Sequence, residues 1–256
     1  MITSSANRQM KQILQLNKKS KTRYEQRVFV VEGIKMWQET PREQIQKIYV
    51  SESFLQDAKK RRLLKDCTYE VVADRVFQAV SDTKTPQGIF CLVKMPEYEM
   101  EDLLRGKAHL LILEDIQDPG NLGTMLRTGE GAGITGIIMS KGTVDIFHPK
   151  VIRSTMGSLF RVPFFIAENL SRTIGTIKEQ GITVYAAHLK GVLSYDKPDY
   201  TGACGFLIGN EGNGLSAEIA SLADTYIRIP MEGKVESLNA AMAAALLMYE
   251  VNRQRR

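Results

Sequence analysis

From residue 107 onward, short apolar runs alternate with helical segments, and that rhythm constrains the fold more than any other feature of the chain. Strands are predicted at His109–Leu113, Gly136–Met139, Thr183–Ala186, Gly205–Ile208 and Tyr226–Ile229. Helices are predicted near Leu122–Gly131, Val151–Ser158, Ser171–Glu179, Ala217–Ala223 and Leu238–Arg253. Short apolar strands alternating with helices indicate an α/β fold whose parallel sheet is covered on both faces. Ligands are then expected in the loops at the carboxyl ends of the strands.

The chain before this region has a different character. Residues 1–95 hold 18 Lys+Arg against 10 Asp+Glu, so the whole positive excess of a chain with net charge +5 lies there. Two clusters carry much of it: Arg8, Lys11, Lys18, Lys19, Lys21, Arg23 and Arg27, then Lys59, Lys60, Arg61, Arg62 and Lys65. Any single Lys here reads as a solvated helix face. A domain-wide excess points to phosphate and nucleic acid. The acidic, Pro-containing stretch that starts at Met95 marks a boundary. It predicts a small α/β domain over 1–95, a linker over 96–106 and a second domain over 107–256. In the first domain, helices are predicted over 5–19, 34–39, 52–65 and 74–80, and strands over 28–32, 47–50, 69–72 and 88–92.

Several function classes fall away. Cys67, Cys91 and Cys204 are widely spaced and His109, His148 and His188 are scattered, so neither a disulfide framework nor a metal site is expected. The start of the sequence lacks the apolar core of a signal peptide, and no apolar run approaches the roughly 20 residues that span a bilayer. A cytoplasmic protein without membrane partners is expected. Gly131-Ala-Gly133-Ile-Thr-Gly136 matches the dinucleotide-binding pattern in form. It closes a predicted helix instead of opening one, which disfavours a dehydrogenase. There is neither a P-loop nor a nucleophile elbow.

Three loops after apolar strands carry the chemistry. In the first, Asn121 is placed to cap a helix beginning at Leu122, and Gly123 and Arg127 share one helical face. An Arg there offers a fixed fork of donors for phosphate or carboxylate. In the second, Gly209-Asn-Glu211-Gly-Asn-Gly214 supplies a turn with exposed amides and an acidic residue at its centre. In the third, Ile229-Pro230-Met231 ends a strand, and Ser237-Leu238-Asn239 starts an Ala-rich helix. Ser237 or Asn239 is a candidate cap. The small residues from Ala240 to Ala245 permit close packing, either in the core or at a subunit interface.

These segments, in this order, resemble the signatures of the SpoU (TrmH) branch of the SPOUT RNA methyltransferases. Asn121-x-Gly123-x-x-x-Arg127 resembles the first motif, Gly209-Asn-Glu211-Gly212-x-Gly214 the second, and Ile229-Pro230-Met231-x-Gly233-x-x-x-Ser237-Leu238-Asn239 the third. Arg153 to Pro163 is similar to the intermediate segment. Arg27-x-Phe29-x-Val-Glu32-Gly33 and Ser81-x-Thr83-x-Thr85-Pro86-Gln87-Gly88 resemble a small ribosomal-protein-like RNA-binding domain. Thr128 and Thr155 depart mildly from the family pattern, where Ala and Ser are frequent.

The resemblance implies a catalytic domain with a deep trefoil knot, S-adenosylmethionine as cofactor, and a homodimer with active sites near its interface. It implies Arg127, Asn121, Glu211, Ser237 and Asn239 as catalytic residues, with Glu211 orienting Arg127 or a loop. Gly209, Ile229, Leu238, Met231 and Leu189 are implied in the cofactor pocket. The implied reaction is methyl transfer to a ribose 2′-hydroxyl of structured RNA, with 23S rRNA favoured. The alternatives are tRNA as substrate and a non-catalytic RNA-binding protein on the same fold.

Overall fold

Strand pairing divides the chain into two sheets. The computed structural model describes residues 1–256 and splits into two compact units, Met1–Glu97 with Asp145–Phe160, and Tyr98–Val144 with Arg161–Arg256.

The first unit contains α1 (Arg8–Lys18), α2 (Ser20–Gln26), β1 (Val28–Glu32), α3 (Ile34–Glu39), β2 (Ile45–Ser51), α4 (Glu52–Gln56), α5 (Ala58–Leu63), β3 (Glu70–Val72), α6 (Asp74–Val80) and β4 (Ile89–Lys94). Its sheet has the order β1-β4-β2-β3, with β4 antiparallel to both neighbours and β2 parallel to β3. Met10, Ile13 and Leu16 turn one face of α1 onto this sheet, beside Val76, Phe77 and Val80 of α6. The single helix expected over 52–65 is two helices. Asp57 leaves the helical conformation and caps α5 by accepting from the amides of Lys59 and Lys60.

The second unit begins with α7 (Met100–Leu103), β5 (His109–Leu113), α8 (Pro119–Ala132) and β6 (Gly136–Ser140). The chain then carries α9 (Pro149–Thr155), which belongs to the first unit. It returns as β7 (Phe164–Ala167), α10 (Leu170–Glu179), β8 (Thr183–Ala187), β9 (Leu193–Ser194), β10 (Cys204–Ile208), α11 (Ala217–Ser221), β11 (Thr225–Arg228) and α12 (Ala240–Gln254). All seven strands are parallel, in the order β7-β6-β5-β10-β8-β11-β9. Every residue of β5 and β10 is buried, as expected of strands covered on both faces. Leu170, Ile174 and Ile177 of α10 cover one face over Leu110, Ile112 and Val184.

Helices α8 and α12 lie side by side and run the same way. Asn121 at the start of α8 bonds to Asn239 at the start of α12, and the Asn252 side chain donates to Ala132 O at the far end. Small residues set their spacing. A Cβ on Gly129 would lie 2.3 Å from Ile134 Cδ1 and 3.4 Å from Met248 Sδ. Ala241 and Ala244 are buried within the chain, so the Ala-rich face is core.

Two boundaries differ from the sequence expectation. Residues 96–106 are not a free linker, because α7 buries Leu103 completely in the second unit's core. Asp145–Phe160 groups with the first unit, although the sequence places it inside the second domain. The cause is a buried ion pair. The Arg23 guanidinium, 2% exposed, donates Nε–H to Asp145 Oδ2 at 2.9 Å, and Tyr24 OH donates to the same carboxylate at 3.2 Å. The Phe29 and Phe147 rings pack beside it, tilted to each other with centroids 4.8 Å apart. The helix expected over 151–158 ends at Thr155, where Met156 turns to φ 52°.

Candidate active site

Glu211 gathers the first and second motif loops. Its carboxylate accepts from the backbone amides of Gln117 at 2.9 Å and Asp118 at 3.0 Å, and from Asn121 Nδ2 at 2.9 Å. Asn121 Oδ1 in turn accepts from Asn239 Nδ2 at 3.0 Å, which ties in the third motif. Burial alone would raise the pKa of Glu211. The bonds from Asn121, Gln117 and Asp118 outweigh it and hold the carboxyl below its usual range. The amino-terminal ends of two parallel helices also meet near this carboxylate, a placement the helix dipoles favour.

Asn121 is therefore not the cap expected of it. Asp118 caps α8 through Asn121 N at 2.9 Å, and Pro119 occupies the first helical position, where its fixed φ suits the turn. The helix starts earlier than expected, and the Asn121 side chain is free to bridge Glu211 and Asn239. Asn239 is the cap of α12, accepting from Ala241 N and Met242 N.

The second loop is locked from within. Asn210 and Gly214 exchange backbone bonds at 3.1 and 2.9 Å. Asn210 Oδ1 accepts from Gly212 N and Asn213 N, and its Nδ2 donates to Asp115 O at 2.8 Å. A Cβ on Gly209 would lie 2.1 Å from the Gly214 carbonyl carbon, so only glycine closes this loop. Asn210 and Asp118 are structural determinants that the sequence reading passed over. The cue was there in both cases, since Asn in a Gly-rich turn and Asp before Pro are local hydrogen-bonding positions.

A cavity of about 920 Å³ opens between the ends of β8, β10 and β11. All five residues expected at a cofactor (Leu189, Gly209, Ile229, Met231 and Leu238) line it. Glu211, Ser237 and Asn239 line it too, whereas Asn121 reaches it through its bonds to Glu211 and Asn239. Arg127 does not. It is exposed on α8 and bonds to neither Glu211 nor any other residue, so the expected Glu211–Arg127 pairing is absent and Glu211 holds the loop instead.

The profile of the SpoU rRNA methylase family matches residues 108–249, more than half of the chain. This chain belongs to the SpoU rRNA methylase family. An MRM3-like substrate binding domain also matches, over residues 7–91. This SpoU methylase is 35% identical over 181 residues to the 23S rRNA (guanosine(2553)-2′-O)-methyltransferase RlmP of Bacillus subtilis, which spans 71% of each chain. The crystal structure of the SpoU methyltransferase AviRb from Streptomyces viridochromogenes in complex with AdoMet aligns with a TM-score of 0.85 and 25% identity, over 97% of this chain and 99% of that one. An AdoMet-bound rRNA methyltransferase from Sinorhizobium meliloti aligns with a TM-score of 0.84 and 30% identity, over 98% and 97%.

S-adenosylmethionine is the methyl donor that the cavity of this SpoU methylase has to fit, and it does. Ile229 to Leu238 make no backbone hydrogen bond within the protein, which leaves amides and carbonyls for an adenine edge. Ile229, Leu238 and Met231 supply apolar wall, and Glu232 and Glu236 bring negative charge toward a cationic ligand. The nicotinamide alternative fails on the expected ground. Gly133 ends α8 in the left-handed conformation and Gly136 opens β6, so the glycine pattern cradles no phosphate.

Proposed function

We propose that this chain methylates a ribose 2′-hydroxyl of 23S rRNA. The single observation behind this reading is the convergence of Asn121, Glu211 and Asn239, from three separated motifs, at the rim of a cavity suited to S-adenosylmethionine. The likeness to the Sinorhizobium rRNA enzyme covers 98% of the chain and so both units, and with the similarity to RlmP it favours rRNA over tRNA.

S-adenosylmethionine, when bound, supplies an electrophilic methyl group on a sulfonium. The protein's own residues do the rest. Leu189, Ile229, Met231 and Leu238 hold the donor, with Gly209 and the Asn210 bonds keeping the loop closed. Glu211 and Asn121 fix the rim, and Ser237, exposed and without a partner in the chain, is available to the incoming ribose. An alcohol is a weak nucleophile, so the site must stabilise the developing alkoxide. Arg127 has that role. A guanidinium stays charged, and it clamps an adjacent phosphate while neutralising the oxygen.

Arg127 lies outside its own chain's cavity, and this favours a homodimer. Met242, Leu246 and Tyr249 are exposed at 49%, 39% and 45% and share one face of α12. Tyr249 OH lies 3.1 Å from where a Gly131 Cβ would stand, and Arg127 is one turn before Gly131 on α8. A second copy covering this stripe places Arg127 at the partner's cavity. The crossing of loops in the same region suits the knot. A Cβ on Gly191 would lie 2.6 Å from the Ile227 carbonyl carbon, so one backbone passes directly over another.

The first unit, Met1–Glu97 with Asp145–Phe160, then holds the RNA by its basic surface, and the second unit performs catalysis. No helix is long and apolar enough to cross a membrane, and an rRNA substrate supports a cytoplasmic enzyme. The test is transfer of tritiated methyl from S-adenosylmethionine to 23S rRNA and, separately, to tRNA, with the product mapped as a ribose methylation. Label on tRNA alone, or on neither RNA, defeats the reading.

A further inference from the structure

The first unit contains a buried carboxylate that has no cation. Glu32, at the end of β1, is 9% exposed. It accepts from Ser81 Oγ at 2.5 Å, Thr83 Oγ1 at 2.6 Å and Asp82 N at 3.0 Å. The next residue, Gly33, takes φ 103°, and Gln87 Oε1 accepts from Ile34 N at 2.7 Å. Both ends of the segment Ser81–Gly88 are thereby fastened to the corner between β1 and α3. A third segment joins them, because Arg153 Nη1 donates to Asp82 Oδ2 at 2.7 Å. Arg153 sits on α9, which Arg23 and Asp145 anchor to the same unit.

This construction does little for the core. Asp82, Lys84, Thr85 and Gln87 are exposed. The carboxylate is engaged by Ser81 Oγ, Asp82 N and Thr83 Oγ1, all within this loop, and by no residue of the sheet. What the carboxylate provides is an exposed loop with one conformation. Such a loop binds without the entropic cost of being ordered. Its middle carries Lys84, which is exposed and forms no ion pair, and Arg153, tied to the loop through Asp82, keeps Nε and Nη2 free of protein partners. A lysine on an ordered loop, with Thr85 following it in sequence and Arg153 bonded to the same loop, offers cations and a hydroxyl suited to the phosphates and ribose hydroxyls of an RNA strand.

We propose that Lys84 and Arg153 are the phosphate contacts that set the register of the RNA strand, with Glu32 as the positioning residue of their loop. The proposal rests on the RNA-methylating reading above. It separates this loop from the basic face of α1, where Arg8, Lys11 and Lys18 extend into solvent and attract RNA without fixing it.

The experiment uses the full chain and a fluorescein-labelled 23S rRNA transcript. Affinity is read by anisotropy, and methyl transfer by tritium incorporation as a function of RNA concentration. Lys84→Ala and Arg153→Ala should each raise the RNA Kd and KM about tenfold, as expected for loss of a charged hydrogen bond, while calorimetric affinity for S-adenosylmethionine holds. Glu32→Ala should produce the same KM increase, and Glu32→Gln, which keeps the shape and one acceptor, should restore part of it. Arg75→Ala, a basic substitution elsewhere in the unit, should leave KM in place. Unchanged Kd in Lys84→Ala and Arg153→Ala overturns the proposal. So does a Glu32→Ala protein that loses thermal stability without any rise in KM. If the unsubstituted chain binds RNA but methylates none, the functional reading falls while the anisotropy series still decides this one.

Discussion

Asn121 donates its side-chain amide to the Glu211 carboxylate at 2.9 Å, joining residues 90 apart in sequence at the meeting point of two parallel helices. The bond leaves Asn121 Oδ1 facing Asn239, so one amide orients all three motif loops. Glu211→Ala removes the acceptor for two backbone amides as well as Asn121. Because water can reach the site, the stability loss should be near the low end for an unsatisfied donor, about 1 kcal/mol. Methyl transfer should fall by about a hundredfold, since the rim that positions the ribose is lost. Glu211→Gln should recover folding fully and activity only in part. The check is a melting curve beside single-turnover methylation.

A second expectation concerns acid. His109 is 1% exposed at the start of β5, and its Nε2 has no partner. Burial, assisted by the nearby Arg255 charge, lowers its pKa from 6.5 to about 4. Below pH 6.5 the unfolded chain takes up a proton that the folded chain refuses, so stability is complete above that pH and lost as pH falls toward 4. The depressed value corresponds to about 3 kcal/mol over that window. His109→Leu should flatten urea-unfolding midpoints between pH 6.5 and 4. Any acid loss that persists further down belongs to carboxylates such as Glu211, whose depressed pKa protects the fold until it is protonated.

The sequence made some of this visible for physical reasons and hid the rest. Strands β5 and β10 were legible because continuous burial demands continuous aliphatic residues. Strand β9, two residues at the sheet edge, is too short for any pattern, and the four residues of β7, straight after Pro163, are not among the strands expected from the sequence. Motif identity located the cavity lining, but not who bonds to whom. Asn121 and Arg127 are six apart on a helix, about 240° around its axis, so both could not face Glu211. The attachment of 145–160 to the first unit depends on Arg23 meeting Asp145 across 122 residues, which no local pattern encodes.

The basic face of α1 should govern the salt dependence of RNA binding. Arg8, Lys11 and Lys18 are exposed and lack ion-pair partners, whereas Arg23 is spent on Asp145 and Arg27 pairs with Glu97. Neutralising all three should lower the slope of log affinity against log salt by about 2, as expected when a few phosphate contacts are lost. S-adenosylmethionine affinity should not move. A slope equal to that of the unsubstituted chain would show that α1 faces away from the RNA.

The decisive expectation is that one protomer completes the active site of the other. Arg127→Ala should abolish methylation and leave donor binding intact, because the residue lines no part of its own cavity. Gly209→Val should abolish donor binding, because even a Cβ at that position meets the Gly214 backbone at 2.1 Å. If α12 pairs two copies through Met242, Leu246 and Tyr249, each dead variant still holds the half that the other lacks. Refolding the two together at equal concentration makes half the dimers mixed, and each mixed dimer has one competent site, so activity should return to about a quarter of the original. Leu246→Glu, by charging the stripe, should yield monomers in sedimentation and prevent that recovery. If mixing restores no activity while the mixed dimers demonstrably form, Arg127 acts within its own chain and the partner contributes nothing to the chemistry.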